Sequence, residues 1–67
     1  MLLLGKRIKE LRTKHSMTQQ QLGNAINVTK VSICCYENGT RTPTLDTLID
    51  LANVFRVDLS YLLGSDV

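Results

Sequence analysis

The reactive side chains of this sequence do not assemble into a reaction centre. His15, the single histidine, has no cysteine or carboxylate at metal-ligand spacing and reads as a helix-end surface residue. Cys34 and Cys35 are adjacent. A disulfide wants Cα atoms about 5.5–6 Å apart, and neighbouring residues sit about 3.8 Å apart, so two free thiols and a reducing compartment are expected. Asp46 and Asp50 lie four apart on one helix face and read as solvating charges. No nucleophile–base pair, paired carboxylate or phosphate-cradling glycine loop can be built. The expectation is therefore no enzyme, no metal, no cofactor and no small-molecule ligand. What the chain does carry is uneven charge. Residues 1–41 hold a formal charge of +5 and residues 42–67 of −3, for a net +2. One half should present a positive face, and a positive face on a small domain suits a polyanion, most often nucleic acid.

The elements that must position this face are helical. The chain has 67 residues, 43% of them apolar and 21% charged, which suits one modest core and a single domain over residues 1–67. The longest clearly apolar run, Leu2 to Leu4, falls far short of the roughly 20 residues of a membrane span, and it lacks the flanks of a signal peptide. Leu4, Ile8 and Leu11 recur at helical spacing with Lys6, Arg7, Lys9, Glu10 and Arg12 between them, predicting an amphipathic helix from Leu3 to Lys14. Met17 is an apolar plug at the corner. Thr18, with Gln21 three residues on, forms a capping box for a short helix from Gln19 to Ile26, with Leu22, Ala25 and Ile26 inward. Asn27 suits a left-handed turn. Thr29 caps the next helix, to Asn38, which Asn38-Gly39 closes. Pro43 keeps the following residues in a loop. Thr44 caps a fourth helix whose apolar face is Leu45, Leu48, Ile49, Ala52 and Phe55, and Asp58 caps a last one with Leu59, Leu62 and Leu63 inward. Ser65, Asp66 and Val67 read as a frayed end or the start of a linker. The fold class is all-α, a compact five-helix bundle.

The informative stretch is Gln19 to Asn38. Two short helices meet at a tight turn, with Leu22, Ile26, Val28, Ile33 and Tyr36 inward and Gly23 where the backbones should cross closest. This is a helix-turn-helix pattern.

Further segments join it: Arg7-Ile8-Lys9-Glu10-Leu11-Arg12, Met17-Thr18-Gln19-Gln20-Gln21-Leu22, Val28-Thr29-Lys30-Val31-Ser32-Ile33, Tyr36-Glu37-Asn38-Gly39 with Arg41 and Pro43, and Leu59-Ser60-Tyr61-Leu62-Leu63-Gly64. On these segments, nearly the whole chain resembles the Cro/C1-type helix-turn-helix regulators, the XRE family, to which phage repressors belong. Many members have Ala where Gly23 stands and Gly where Asn27 stands; both replacements keep the physical requirement. The resemblance implies a lambda-repressor-like DNA-binding domain that reads a palindromic double-stranded DNA operator as a homodimer, in the cytoplasm. It places the helix from Thr29 in the major groove, with Lys30, Val31, Cys34 and Cys35 outward toward bases. Lys30 can donate to guanine O6 and N7, and Val31 can pack on a thymine methyl. Gln19, Thr29, Ser32, Asn38, Gly39, Thr40 and Arg41 fall at phosphate positions. The family pattern also pairs Arg12 with Glu37 as a structural tie. Leu59, Tyr61, Leu62 and Leu63 are the expected dimer surface, with Leu2 and Leu3 a second apolar patch. Two alternatives stand beside this reading: the chain is the DNA-binding half of a longer repressor, or a protein-interaction or antitoxin-like module on the same fold.

Overall fold

Threonine hydroxyls start three of the helices. The computed structural model describes residues 2–64, which form α1 (Leu2–Lys14), α2 (Gln19–Ala25), α3 (Lys30–Asn38), α4 (Leu45–Phe55) and α5 (Leu59–Leu63), with no strand among the described residues. Thr18 Oγ1 accepts from the Gln21 backbone N–H at 3.0 Å, and Gln21 Oε1 accepts from the Thr18 N–H at 2.8 Å, completing the capping box. Thr29 and Thr44 cap α3 and α4 in the same way, accepting from the N–H groups of Ser32 and Thr47. Asp58 stands at the N-cap of α5, but its side chain makes no capping hydrogen bond, a departure from the sequence expectation. Asn27 takes the left-handed turn with φ 62°, and Gly39 ends α3 at φ 81°. Ser16 and Arg56 are left-handed too, at φ 57° and 56°, with no sequence signal of the kind that marks Asn27.

One core lies between the helices. Leu4, Ile8 and Leu11 of α1 meet Leu22 and Ile26 from the α2 side, Ile33 and Tyr36 from α3, and Leu62 from α5. Met17, Val28, Val54, Val57, Leu59 and Leu63 pack around it, half-buried. The hub is α3, which has its main packing partners in α1 and α2, while α5 bridges α1 and α4.

Two backbone approaches set that hub. A Cβ on Gly23 would lie 2.6 Å from the Val28 carbonyl oxygen, closer than real Cβ atoms come. Gly5 does the same for α1 against α3: its Cβ would lie 2.5 Å and 2.7 Å from the carbonyl oxygens of Glu37 and Tyr36. Gly5 went unremarked in the sequence because it sits in an ordinary amphipathic run.

Three expectations about burial need correcting. On α4 the buried side is Leu48, Leu51, Ala52 and Phe55, while Leu45 and Ile49 are 62% and 42% exposed. The helix has apolar residues for two overlapping stripes, and its packing against α1 and α5 selects the i, i+3, i+4, i+7 set that includes Leu51. On α2, Ala25 is exposed and Gly23 lies inside beside Leu22, because the close crossing turns that side inward. Leu62, expected on the dimer surface, is wholly buried in the core of the single chain and has no surface to offer. Tyr61 is the exposed member of that set, with the Arg7 guanidinium 4.3 Å over its ring centroid in a cation–π contact. The side chain of Leu2 and the residues Ser65, Asp66 and Val67 lie outside the described residues.

Candidate nucleic-acid interface

The interface is built on α3, from its anchored back to its open front. Ile33 and Tyr36 are buried, and Val28 packs half-buried before the helix starts. Beside them a polar clamp ties three elements together. Arg12 of α1 donates from Nε to Glu37 Oε2 at 2.6 Å and from Nη2 to Oε1 at 3.2 Å, a two-pronged charge-assisted pair. Its Nη1 donates to the Met17 carbonyl at 2.9 Å, and Gln19 Nε2 donates to Glu37 Oε1 at 3.1 Å. The Glu37 side chain is only 4% exposed and that of Arg12 14%. Hydrogen bonding to Glu37 raises the Arg12 pKa; partial burial works the other way, and the Coulombic attraction of Glu37 adds to the rise. The clamp fixes α1, the corner before α2 and the far end of α3 in one rigid arrangement.

The front of α3 faces away from all of this. Lys30 is exposed and Val31 is 66% exposed, side by side in the first turn. Cys34 and Cys35 are free thiols, both half-buried. Asn38 Nδ2 donates to Cys34 Sγ at 3.4 Å along the helix. Asn38, Gly39, Thr40 and Arg41 are exposed and form the rim beyond α3. The Cys35 carbonyl holds this rim to the helix, accepting from the backbone N–H groups of Gly39, Thr40 and Arg41. Arg41 reaches back to the start of α3, where its Nη1 donates to Ser32 Oγ at 3.1 Å. Thr29 Oγ1 donates to the same oxygen at 3.1 Å.

Thr29, Ser32 and Arg41 are thus joined by hydrogen bonds, with exposed Lys30 and Val31 beside them in the first turn of α3. Gln19 stands at the start of α2 and belongs to the clamp as well as to the outer surface, since one of its amide hydrogens is held by Glu37. Nothing in the sequence marked the bond between Arg41 and Ser32. Its partners are nine residues apart and joined only through the geometry of the turn after α3. His15 lies away from this surface, its ring centroid 5.4 Å from that of Phe55. Among the described residues no group of His, Cys, Asp and Glu is arranged to hold a metal ion, and no helix is long and apolar enough to cross a membrane.

A chain of this fold occurs in known proteins. The crystal structure of the P22 c2 repressor in complex with synthetic operator 9T matches with a TM-score of 0.90 at 30% identity, covering 98% of this chain and all of that one. The HTH-type transcriptional regulator ImmR of Bacillus subtilis (strain 168) is 41% identical over 63 residues, which is 94% of this chain and 50% of ImmR. The cryptic phage CTXphi transcriptional repressor RstR of Vibrio cholerae is 31% identical over 62 residues, or 92% of this chain and 56% of RstR. The chain therefore spans about half the length of these curated relatives. The helix-turn-helix family profile matches residues 8–62, a span that holds the clamp, the glycine crossing and the whole of α3. With the family profile and the backbone match each covering most of its length, the chain belongs to the helix-turn-helix family of Cro/C1 type.

Proposed function

We propose that this chain is a sequence-specific, double-stranded DNA-binding transcriptional regulator, a cytoplasmic repressor that occupies a palindromic operator as a homodimer. One observation carries the reading: α3 is anchored from behind by Ile33, Tyr36 and the Arg12–Glu37 pair, while its front offers a cation and an aliphatic side chain to solvent. The match to a repressor bound to its operator, and to relatives named as a regulator and a repressor, supports it.

In this reading Lys30 donates to guanine O6 and N7, and Val31 packs on a thymine methyl. The half-buried Cys34 and Cys35 accommodate the groove wall. Thr29, Ser32, Asn38, Gly39, Thr40 and Arg41 contact phosphates, as does Gln19 through the amide hydrogen that Glu37 leaves free, and these contacts set the register. Two copies place their α3 helices in successive major grooves about 34 Å apart. Tyr61, flanked by Leu59 and Leu63, is the surface through which the copies meet. Charge neutralisation makes affinity fall steeply with salt.

Selection of bound sequences from a random duplex pool tests this, with wild type and Lys30→Ala side by side. Wild type should enrich a palindrome, with half-sites about 10 base pairs apart. The variant should lose discrimination at one base pair of each half-site, worth about 1–3 kcal/mol. Recovery of no preferred duplex would overturn the proposal. A second reading, a protein-binding module, draws on the exposure of Val31 and on the similarity to the antitoxin PezA of Streptococcus pneumoniae, 30% identical over 64 residues. The same selection separates the two, because a protein-binding module enriches no duplex.

A further inference from the structure

Ser32 Oγ is the point at which the Arg41 side chain meets the cap of α3. A hydroxyl has two lone pairs and one hydrogen. Ser32 Oγ accepts from Arg41 Nη1 at 3.1 Å and shares a hydrogen bond with Thr29 Oγ1, also at 3.1 Å. Thr29 Oγ1 in turn accepts from the Ser32 backbone N–H at 3.1 Å, so its hydroxyl is engaged within the cap. The Ser32 hydroxyl is polarised by the cation bonded to its oxygen. Arg41 contributes one of its five N–H donors to Ser32 and keeps the others. The cluster thus sets the exposed cation of Arg41 against the hydroxyl of half-buried Ser32. That chemistry suits an anionic oxygen.

The placement is as informative as the chemistry. Ser32 lies in the first turn of α3, and the loop that bears Arg41 begins after its last residue. Six helical residues, about 9 Å, separate Ser32 from Asn38. The Arg41 side chain therefore lies back along the flank of α3, exposed but tied to it at Ser32. Without the Ser32 acceptor, a long side chain on an exposed loop samples many rotamers, and ordering it on binding weakens the contact.

We propose that Ser32 is a positioning residue for Arg41, and that the two together grip one DNA phosphate beside the bases that Lys30 and Val31 face. This rests on the DNA-binding reading above and adds to it a coupling: the phosphate contact of Arg41 depends on a hydroxyl in the helix that reads the bases.

The test is equilibrium binding to a short mixed-sequence duplex, titrated between about 50 and 200 mM salt. Wild type, Ser32→Ala, Ser32→Thr, Arg41→Ala, the Ser32→Ala/Arg41→Ala double variant and Lys30→Ala are compared, with thermal melts as a folding control. Arg41→Ala should weaken binding about tenfold and flatten the log–log salt slope by about one. Ser32→Ala should reproduce most of both effects, Ser32→Thr should retain wild-type behaviour, and the double variant should bind no more weakly than Arg41→Ala alone. A purely structural role for Ser32 would leave the salt slope unchanged. If Ser32→Ala keeps the wild-type slope, or the two losses add in the double variant, the coupling is wrong although DNA binding stands. If wild type binds no duplex, whatever the salt, the DNA reading falls and takes this inference with it.

Discussion

The outward faces of α3 and α4 each leave a large aliphatic side chain in water, Val31 at 66% and Leu45 at 62% exposure, yet they suit different neighbours. Next to Val31 in the chain stand exposed Lys30 and, on the other side, Ser32, which holds the guanidinium of Arg41. Around Leu45 and Ile49 stand Asp46 and Asp50. The backs differ as well. A polar clamp and two buried residues fix α3, whereas α4 is held by an apolar stripe. A single exposed apolar residue says little about function. The charge beside it and the hold behind it say more, and of these two helices α3 is the one that combines positive charge with a clamped back.

The sharpest way to break this comparison is to remove the clamp. Arg12→Ala leaves the Glu37 carboxylate buried without its partner, which costs about 3–5 kcal/mol. Melting should drop by more than about 10 °C in a domain of this size. A melting temperature unmoved within about a degree would mean that α3 owes its placement to apolar packing alone. Next comes the α4 stripe. Leu48→Ala should cost about 2–5 kcal/mol in denaturant unfolding, while Leu45→Ala, one turn earlier, should stay within about 0.5 kcal/mol. Equal costs would show that the two stripes share the burial.

The glycine crossings rank third. Gly5→Ala and Gly23→Ala both place a methyl against backbone carbonyls that cannot rotate away. Each should destabilise by about 1–3 kcal/mol, although alanine favours a helix by about 1 kcal/mol over glycine. A stabilised variant at either site would mean that the helices can part without loss. The smallest effect on stability is expected at the surface. Lys30→Ala should leave unfolding within about 0.5 kcal/mol while lowering affinity for the selected duplex by about 1–3 kcal/mol. Asp50→Ala, its counterpart on α4, should change neither quantity by more than about 0.5 kcal/mol.

Much of the fold was legible in the chain. Thr18, Thr29 and Thr44 bond within three residues of themselves, so a local reading of hydroxyls finds three helix starts. Asn27 and Gly39 mark turns by their tolerance of positive φ. Gly23 was read as a contact point because the apolar pattern around it demanded a crossing there. Leu51 and Ala25 escaped, each for a reason of packing. A helix rich in apolar residues has more than one possible inner face, and its neighbours select between them. Leu62 reads both as an inward residue and as part of a dimer surface, because a short terminal helix with several leucines suits a core and a surface equally well; the structure bears out the first. Within the candidate site, exposed Lys30 and Val31 follow from the buried spacing of Ile33 and Tyr36. The bonds of Gln19 to Glu37 and of Arg41 to Ser32 do not follow from any spacing.

The amino-acid sequence alone determined where helices start and stop, which turns go left-handed, and that two short helices cross at a residue without a side chain. Each of these rests on hydrogen bonds and steric limits that act over a few residues. Tertiary structure decided which stripe of α4 is inside, that Leu62 is wholly enclosed and offers no surface to a partner, and that an arginine beyond α3 folds back onto a serine at its start. Those outcomes depend on where distant segments lie in space, and no local pattern encodes that position.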